Sequence, residues 1–223
     1  MKRHNTPTIT YTPIKSKSNR YCTLYIVRHG ETDWNIKGLL QGHTDIPLNR
    51  AGEIQAKKLA RKLRDLEFAM IFSSDLLRAK RTAEIIALEK KIAVRSTKAL
   101  RERSFGKYEG KPWREIEYQD LLVKFFKLSS RERFKKTPYR GFESDEKLMV
   151  RFIPLLREVS IANLGKNVLV VTHGGILRAF LNHLDFNQGK ELPPGSIDNT
   201  AYIIIQSDGV DFFIRETSGL HNI

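Results

Sequence analysis

The run Val27-Arg28-His29-Gly30-Glu31-Thr32 sets an arginine and a histidine at the end of an apolar stretch and follows them with a glycine. An imidazole nucleophile can approach an anion only where fixed cations offset the charge repulsion, and a guanidinium next to a histidine supplies that pairing. The chain has a second such place at Val171-Thr172-His173-Gly174-Gly175. A lone histidine after a strand is more often a hydrogen-bonded structural residue than a catalyst. Two of them, with Arg28 attached, point to a site that binds and attacks a phosphoryl group.

The elements that must position these residues are short. Cys22-Thr23-Leu24-Tyr25-Ile26-Val27 is apolar and rich in β-branched and aromatic residues, which predicts a buried strand ending at His29. Asn167-Val168-Leu169-Val170-Val171 predicts another ending at His173, with the glycines opening a helix that runs to about Leu184. The carboxyl ends of strands are where open α/β sheets bind ligands, so the two histidines can converge there. Between them the pattern alternates: an amphipathic helix over 50–66, a strand over 69–72, a helix over 78–89 and a strand over 92–95. That alternation predicts an α/β chain with a mainly parallel sheet. Segments 200–205 and 210–215, joined around Asp208-Gly209, predict an antiparallel hairpin at the sheet's end. Pro112 to about Leu164 reads as further helices, and its polar, basic centre, Ser129 to Arg140, as an insertion or lid where specificity resides.

Five blocks occur in an order that resembles one family. They are Arg28-His29-Gly30-Glu31-Thr32-Asp33-Trp34-Asn35 with the loop Gln41-Gly42-His43-Thr44-Asp45 after it, Ala51-Gly52-Glu53-Ile54-Gln55-Ala56, Ser73-Ser74-Asp75-Leu76-Leu77-Arg78-Ala79, Leu100-Arg101-Glu102 through Phe105-Gly106-Lys107-Tyr108-Glu109-Gly110, and Val171-Thr172-His173-Gly174-Gly175. Over about residues 21–215 the chain resembles the histidine phosphatase superfamily, also called the phosphoglycerate mutase-like family. The resemblance implies a three-layer α/β/α fold in a single domain over 21–223. It implies His29 as the nucleophile, Glu102 as the proton donor, His173 as a further donor to the phosphoryl oxygens, and Arg28 and Arg78 as phosphate clamps. Asn35, Gln41, Gly42 and Gly174 are implied as further substrate contacts.

The residue types suit those roles. A planar guanidinium binds two phosphate oxygens at once and does not lose its proton, and neutral imidazole is a good nucleophile near pH 7. Attack by His29 gives a phosphohistidine that water hydrolyses, dividing one hard step into two. Glu102 can give a proton to the leaving oxygen only if it holds one. Burial favours that, while Arg101 and Arg103 beside it oppose it, so the sequence leaves its protonation open. Gly141-Phe142-Glu143-Ser144 lies where related phosphatases carry a Gly-Glu-Ser segment, with Ser144 equally suited to cap a helix.

The expected activity is a metal-independent phosphomonoesterase that needs no cofactor, the chain having neither a His-Glu-x-x-His segment nor a Cys-His cluster. A bisphosphoglycerate-dependent mutase is the alternative, sharing the catalytic residues. The Phe-Gly-Lys-Tyr-Glu-Gly stretch looks more like the phosphatase branch. The net charge of +14 raises the question of nucleic acid, but the tail supplies five of the basic residues (Lys2, Arg3, Lys15, Lys17 and Arg20) and the rest are dispersed without a recognised motif. The basic field instead suits a small anionic phosphorylated substrate. Residues 1–20, with no acid, are expected to form a flexible tail. No segment has the length and apolarity of a membrane span, and the single Cys22 is compatible with a reducing compartment, so the expected location is the cytoplasm. Nothing in the sequence sets the oligomeric state.

Overall fold

The computed structural model describes residues 20–221, so the tail expected over residues 1–20 lies, but for its last residue, outside the described residues. Six strands form one sheet in the order β3-β2-β4-β1-β5-β6. They are β1 (Cys22–Arg28), β2 (Met70–Ser74), β3 (Val94–Thr97), β4 (Asn167–Thr172), β5 (Ile197–Ser207) and β6 (Phe212–Leu220). The first four in spatial order pair in parallel, and β5 joins β1 antiparallel and carries β6 as a hairpin partner. The sheet is therefore mixed, as the expected hairpin requires. Both hairpin strands are longer than their apolar cores suggest, because polar residues continue the pairing at each end. Asp208 accepts the Val210 and Asp211 N–H groups in the turn between them.

Among the described residues there are also seven α-helices: α1 (Asp33–Ile36), α2 (Arg50–Lys62), α3 (Leu77–Lys90), α4 (Ile116–Phe126), α5 (Ser130–Lys135), α6 (Asp145–Ala162) and α7 (Gly174–His183). Alternation along the central strands divides the core into two. In β4, Val168 and Val170 join Leu24 and Ile26 of β1 against Phe152 and Leu156 of α6 and Leu177 and Phe180 of α7. Leu169 and Val171 point the other way, with Val27, toward Leu59 and Ala60 of α2 and Ala83 and Ile86 of α3. The result is the expected three layers. Each fully buried Leu, Ile or Phe contributes about 1.5–3 kcal/mol relative to exposure, so the two cores fix the sheet that carries the site.

The basic residues of α2, among them Lys57, Lys58 and Arg61, are exposed. In α6, Ser144 is the N-cap, accepting the Lys147 N–H at 3.2 Å. Within the Ser129–Arg140 insertion, Ser129 and Glu132 form a capping box that starts α5, and Arg133 ties that helix to Glu191 beyond α7.

Candidate active site

β1 and β4 are neighbours in register, with Arg28 opposite Thr172, so His29 and His173 leave the same sheet edge one residue later. Their rings lie 5.1 Å apart. His29 is 3% exposed, and its Nδ1 lies 2.6 Å from the Gly30 carbonyl. A carbonyl can only accept, so Nδ1 carries the proton and Nε2 keeps its lone pair. The His29 carbonyl in turn accepts from the Asn199 amide at 3.1 Å and from the Thr200 N–H, anchoring the end of β1 to the start of β5.

Arg78 is wholly buried at the start of α3. Its Nη groups donate to the Thr44 and Gly42 carbonyls, at 2.9 and 2.7 Å, and its Nε donates to His173 Nδ1 at 3.2 Å. That bond sets the opposite tautomer in His173: Nδ1 accepts and Nε2 carries hydrogen. The His173 Nε2 and the Arg28 Nε are both buried donors without a partner among the described residues. Two unsatisfied donors in one place cost about 1–3 kcal/mol each, and an anion there would satisfy both. Arg28 is held by its donation to the Ile197 carbonyl.

Glu102 follows β3 and the turn after it. One oxygen, Oε2, accepts from the Gly175 N–H at 2.8 Å; the other, Oε1, accepts from Ile176 at 3.0 Å and Arg103 at 2.7 Å. The carboxyl thus sits on the N-terminus of α7, where free N–H groups gather. Glycine is needed at 175, because a Cβ there would lie 2.5 Å from Glu102 Oε1. The arginines on either side turn away. Arg101 binds Asp75 through two 2.7 Å contacts, and Arg103 pairs with Asp145 and the Glu143 carbonyl.

The four further residues named from the sequence also line the cavity. Asn35 closes the capping box of α1 with Thr32, and Gln41 donates to Thr32 Oγ1 at 2.8 Å while its Oε1 is buried without a partner among the described residues. Gly42 has φ +53°, and a Cβ there would run into the Glu109 carboxylate. Gly174 packs against the Arg28 side chain. Together with His29, Arg78 and Glu102 they open on a cavity of about 610 Å³.

Sequence reasoning did not single out Glu109 as an organiser. Its carboxylate accepts the His43, Thr44 and Phe105 N–H groups and the Thr44 hydroxyl, which fixes the 41–44 loop whose carbonyls hold Arg78. Asn199 was missed because it precedes the apolar part of β5; the break in alternation at 197–200 is the signal that could have shown it. Trp113 is 43% exposed and lines the cavity. Among the described residues no group of three or more His, Cys, Asp or Glu side chains is arranged to hold a metal ion, and no helix is long and apolar enough to cross a membrane.

Burial, then Arg78, then Arg28 hold His29 well below its ordinary 6.5; for His173 the causes are burial, Arg78 and His29. Both rings are neutral in the folded protein near pH 6. In the unfolded chain they gain protons as pH falls below about 6.5, so the folded state loses stability on acidification. Each contributes a slope that rises to about 1.4 kcal/mol per pH unit well below that point. Urea titrations between pH 6.5 and 5.5 should therefore show His29→Asn losing about 1 kcal/mol less than the parent over that unit; equal losses would mean His29 titrates normally.

The chain is similar to known proteins in sequence and in fold. The model of the Histidine phosphatase superfamily (branch 1) matches residues 24–218. "Phosphoglycerate mutase-like protein 4" of Arabidopsis thaliana is 37% identical over 161 residues, covering 71% of this chain and 69% of its own. "Broad-specificity phosphatase YOR283W" of Saccharomyces cerevisiae is 30% identical over 217 residues, covering 92% and 89%. Among solved structures, a phosphoglycerate mutase from Bacillus anthracis str. Sterne superposes with a TM-score of 0.75 at 27% identity, over 91% of this chain and 95% of the other.

Proposed function

Because the chain belongs to branch 1 of the histidine phosphatase superfamily, we propose that it hydrolyses small phosphomonoesters through a phosphohistidine on His29. The observation that carries this reading is the fixed tautomer of His29, whose Nε2 lone pair stands in a buried setting of two guanidiniums, Arg28 and Arg78. Those cations and the His173 Nε2–H would take the non-bridging phosphoryl oxygens, where charge gathers in the transition state.

His29 Nε2 attacks phosphorus as the ester P–O bond breaks, and the departing oxygen takes a proton from Glu102. Of the two carboxyl oxygens, Oε1 already accepts two N–H bonds and Oε2 one, so Oε2 keeps a lone pair free to face the departing oxygen. While His29 is phosphorylated, its Nδ1–H stays on the Gly30 carbonyl, which supports the charge on the ring. The Glu102 carboxylate then takes a proton from water as that water attacks phosphorus and releases the imidazole. A mutase would share the first half of this sequence and return the phosphoryl group to a sugar-acid phosphate. The relative named as a phosphatase over almost the whole chain favours water as acceptor.

The test is phosphate release from a panel of phosphomonoesters in EDTA, with a second portion quenched in alkali, in which phosphohistidine survives, and digested for mass analysis. Expected are turnover unaffected by chelator and phosphate on the peptide containing His29. Full loss of activity in EDTA, or label on another residue, would sink the mechanism; transfer between phosphoglycerate positions without release would assign a mutase.

A further inference from the structure

The cavity extends well beyond a phosphoryl group. At about 610 Å³ it has the size of pockets that enclose a whole drug-sized ligand. Beyond Gly42 and Glu102 its walls become aromatic, with Phe105, Trp113, Tyr118, Phe126 and Phe142. The leaving group therefore has room for a carbon body.

Charge divides this space unevenly. Five guanidiniums line it: Arg28, Arg78, Arg103, Arg133 and Arg178. The first two serve the phosphoryl end. Arg103 is paired with Asp145, and Arg133 with Glu191 at 2.5 Å. Glu102 is committed to the N-terminus of α7. Arg178 has no carboxylate within 4.0 Å among the described residues, and one long bond, Nη1 to the Leu192 carbonyl at 3.3 Å. Its Nε and second Nη have no acceptor among the described residues, which leaves one edge of the fork free. A phosphate dianion answers Arg28 and Arg78, so one positive charge is left over in the leaving-group half. Burial, then the neighbouring Arg103, hold Arg178 below the usual arginine range against the opposing pull of Asp145 and Glu102, neither of which comes within 4.0 Å of it.

Position agrees with charge. Gly174, Arg178 and Asn182 recur every four residues along α7 and all line the cavity, so one face of the helix runs from the phosphoryl end into the leaving-group half. Arg178 stands about one turn, roughly 5.4 Å, beyond Gly174, and long helical side chains lean back toward the N-terminus.

We propose, resting on the hydrolase reading above, that Arg178 determines specificity by binding a carboxylate carried by the substrate's leaving group. A carboxylate fits the free edge of a guanidinium with two parallel N–H···O bonds and supplies the single charge that is missing.

Two matched pairs test this: 3-phosphoglycerate against glycerol 3-phosphate, and 4-carboxybenzyl phosphate against benzyl phosphate. The acid of at least one pair should be preferred by roughly 10- to 100-fold in kcat/KM, the range of a charge-assisted bond. Arg178→Met should reduce that preference to less than about threefold without lowering the unfolding temperature, since the residue it removes is a cation without a counter-charge. No preference in either pair, or one that survives in Arg178→Met, overturns the proposal. Loss of stability with an equal loss on both members of a pair would show Arg178 to be structural and also overturn it. Calorimetry with the same ligands on His29→Ala separates this proposal from the hydrolase reading. Preferential binding of the acid there, with no ester hydrolysed by the parent, would retain the subsite and refute the hydrolase. Turnover without any binding preference would do the reverse.

Discussion

His29→Ala is expected to lower kcat on p-nitrophenyl phosphate by about 10⁴-fold or more, a rise in barrier of about 5 kcal/mol. The variant keeps both guanidiniums and Glu102, so it still collects phosphate. What it lacks is the Nε2 lone pair, and none of the other described residues lining the cavity is a neutral nitrogen nucleophile: Arg28 and Arg78 are cations and Gln41 is an amide, while the buried His173 uses Nδ1 to accept from Arg78. The reaction must then proceed by direct attack of water, without the division into two steps that a covalent intermediate provides. Initial rates on protein with a parental thermal melt are the measurement. Retention of activity within tenfold would exclude His29 as nucleophile.

Glu102→Ala should separate the two halves of the reaction. With alkyl phosphates, whose leaving oxygen needs a proton, kcat should fall about 10²- to 10⁴-fold, the usual range for general acid catalysis. With p-nitrophenyl phosphate the leaving phenolate needs no proton, so phosphorylation of His29 remains fast while the water step, deprived of its base, slows. Stopped-flow traces should then show a burst of nitrophenolate equal to the enzyme present, followed by slow turnover. Alanine is the informative replacement. Glutamine would turn an amide N–H toward the Gly175 or the Ile176 N–H, setting donor against donor at the start of α7. Equal losses on both ester types with no burst would remove Glu102 from both roles.

The strands and helices that carry the site were legible because their apolar periods are clean. Cys22–Val27 and Asn167–Val171 could hardly be anything but buried strands, and their carboxyl ends allowed His29 and His173 to converge, which the parallel pairing of β1 with β4 brings about. The direction in which the neighbours of Glu102 point was not legible. In sequence Arg101 and Arg103 flank it and compete for it; in the fold they reach Asp75 and Asp145, residues 26 and 42 positions away. Local spacing cannot reveal partners at that distance. Glu109 illustrates the same limit, since its work is to accept backbone N–H groups from a loop 65 residues earlier, which leaves no side-chain pattern to read. Arg178 was hidden for another reason. In an amphipathic helix an arginine reads as the solvated face, and only the cavity on that side shows that it is not.

The pairing of Arg28 with Thr172 has a consequence for how the chain comes to be active. The two histidines belong to strands that are adjacent in the sheet but separated by most of the polypeptide, with β2, β3 and six helices made in between. Closing so long a loop is entropically expensive and slow compared with forming α2 or α3, whose contacts are local. A refolding chain can therefore recover much of its helical signal while His29 and His173 are still apart. Regain of catalysis reports the last long-range event, the insertion of β4 between β2 and β1, and a one-residue error in that insertion would turn every β4 side chain to the opposite layer.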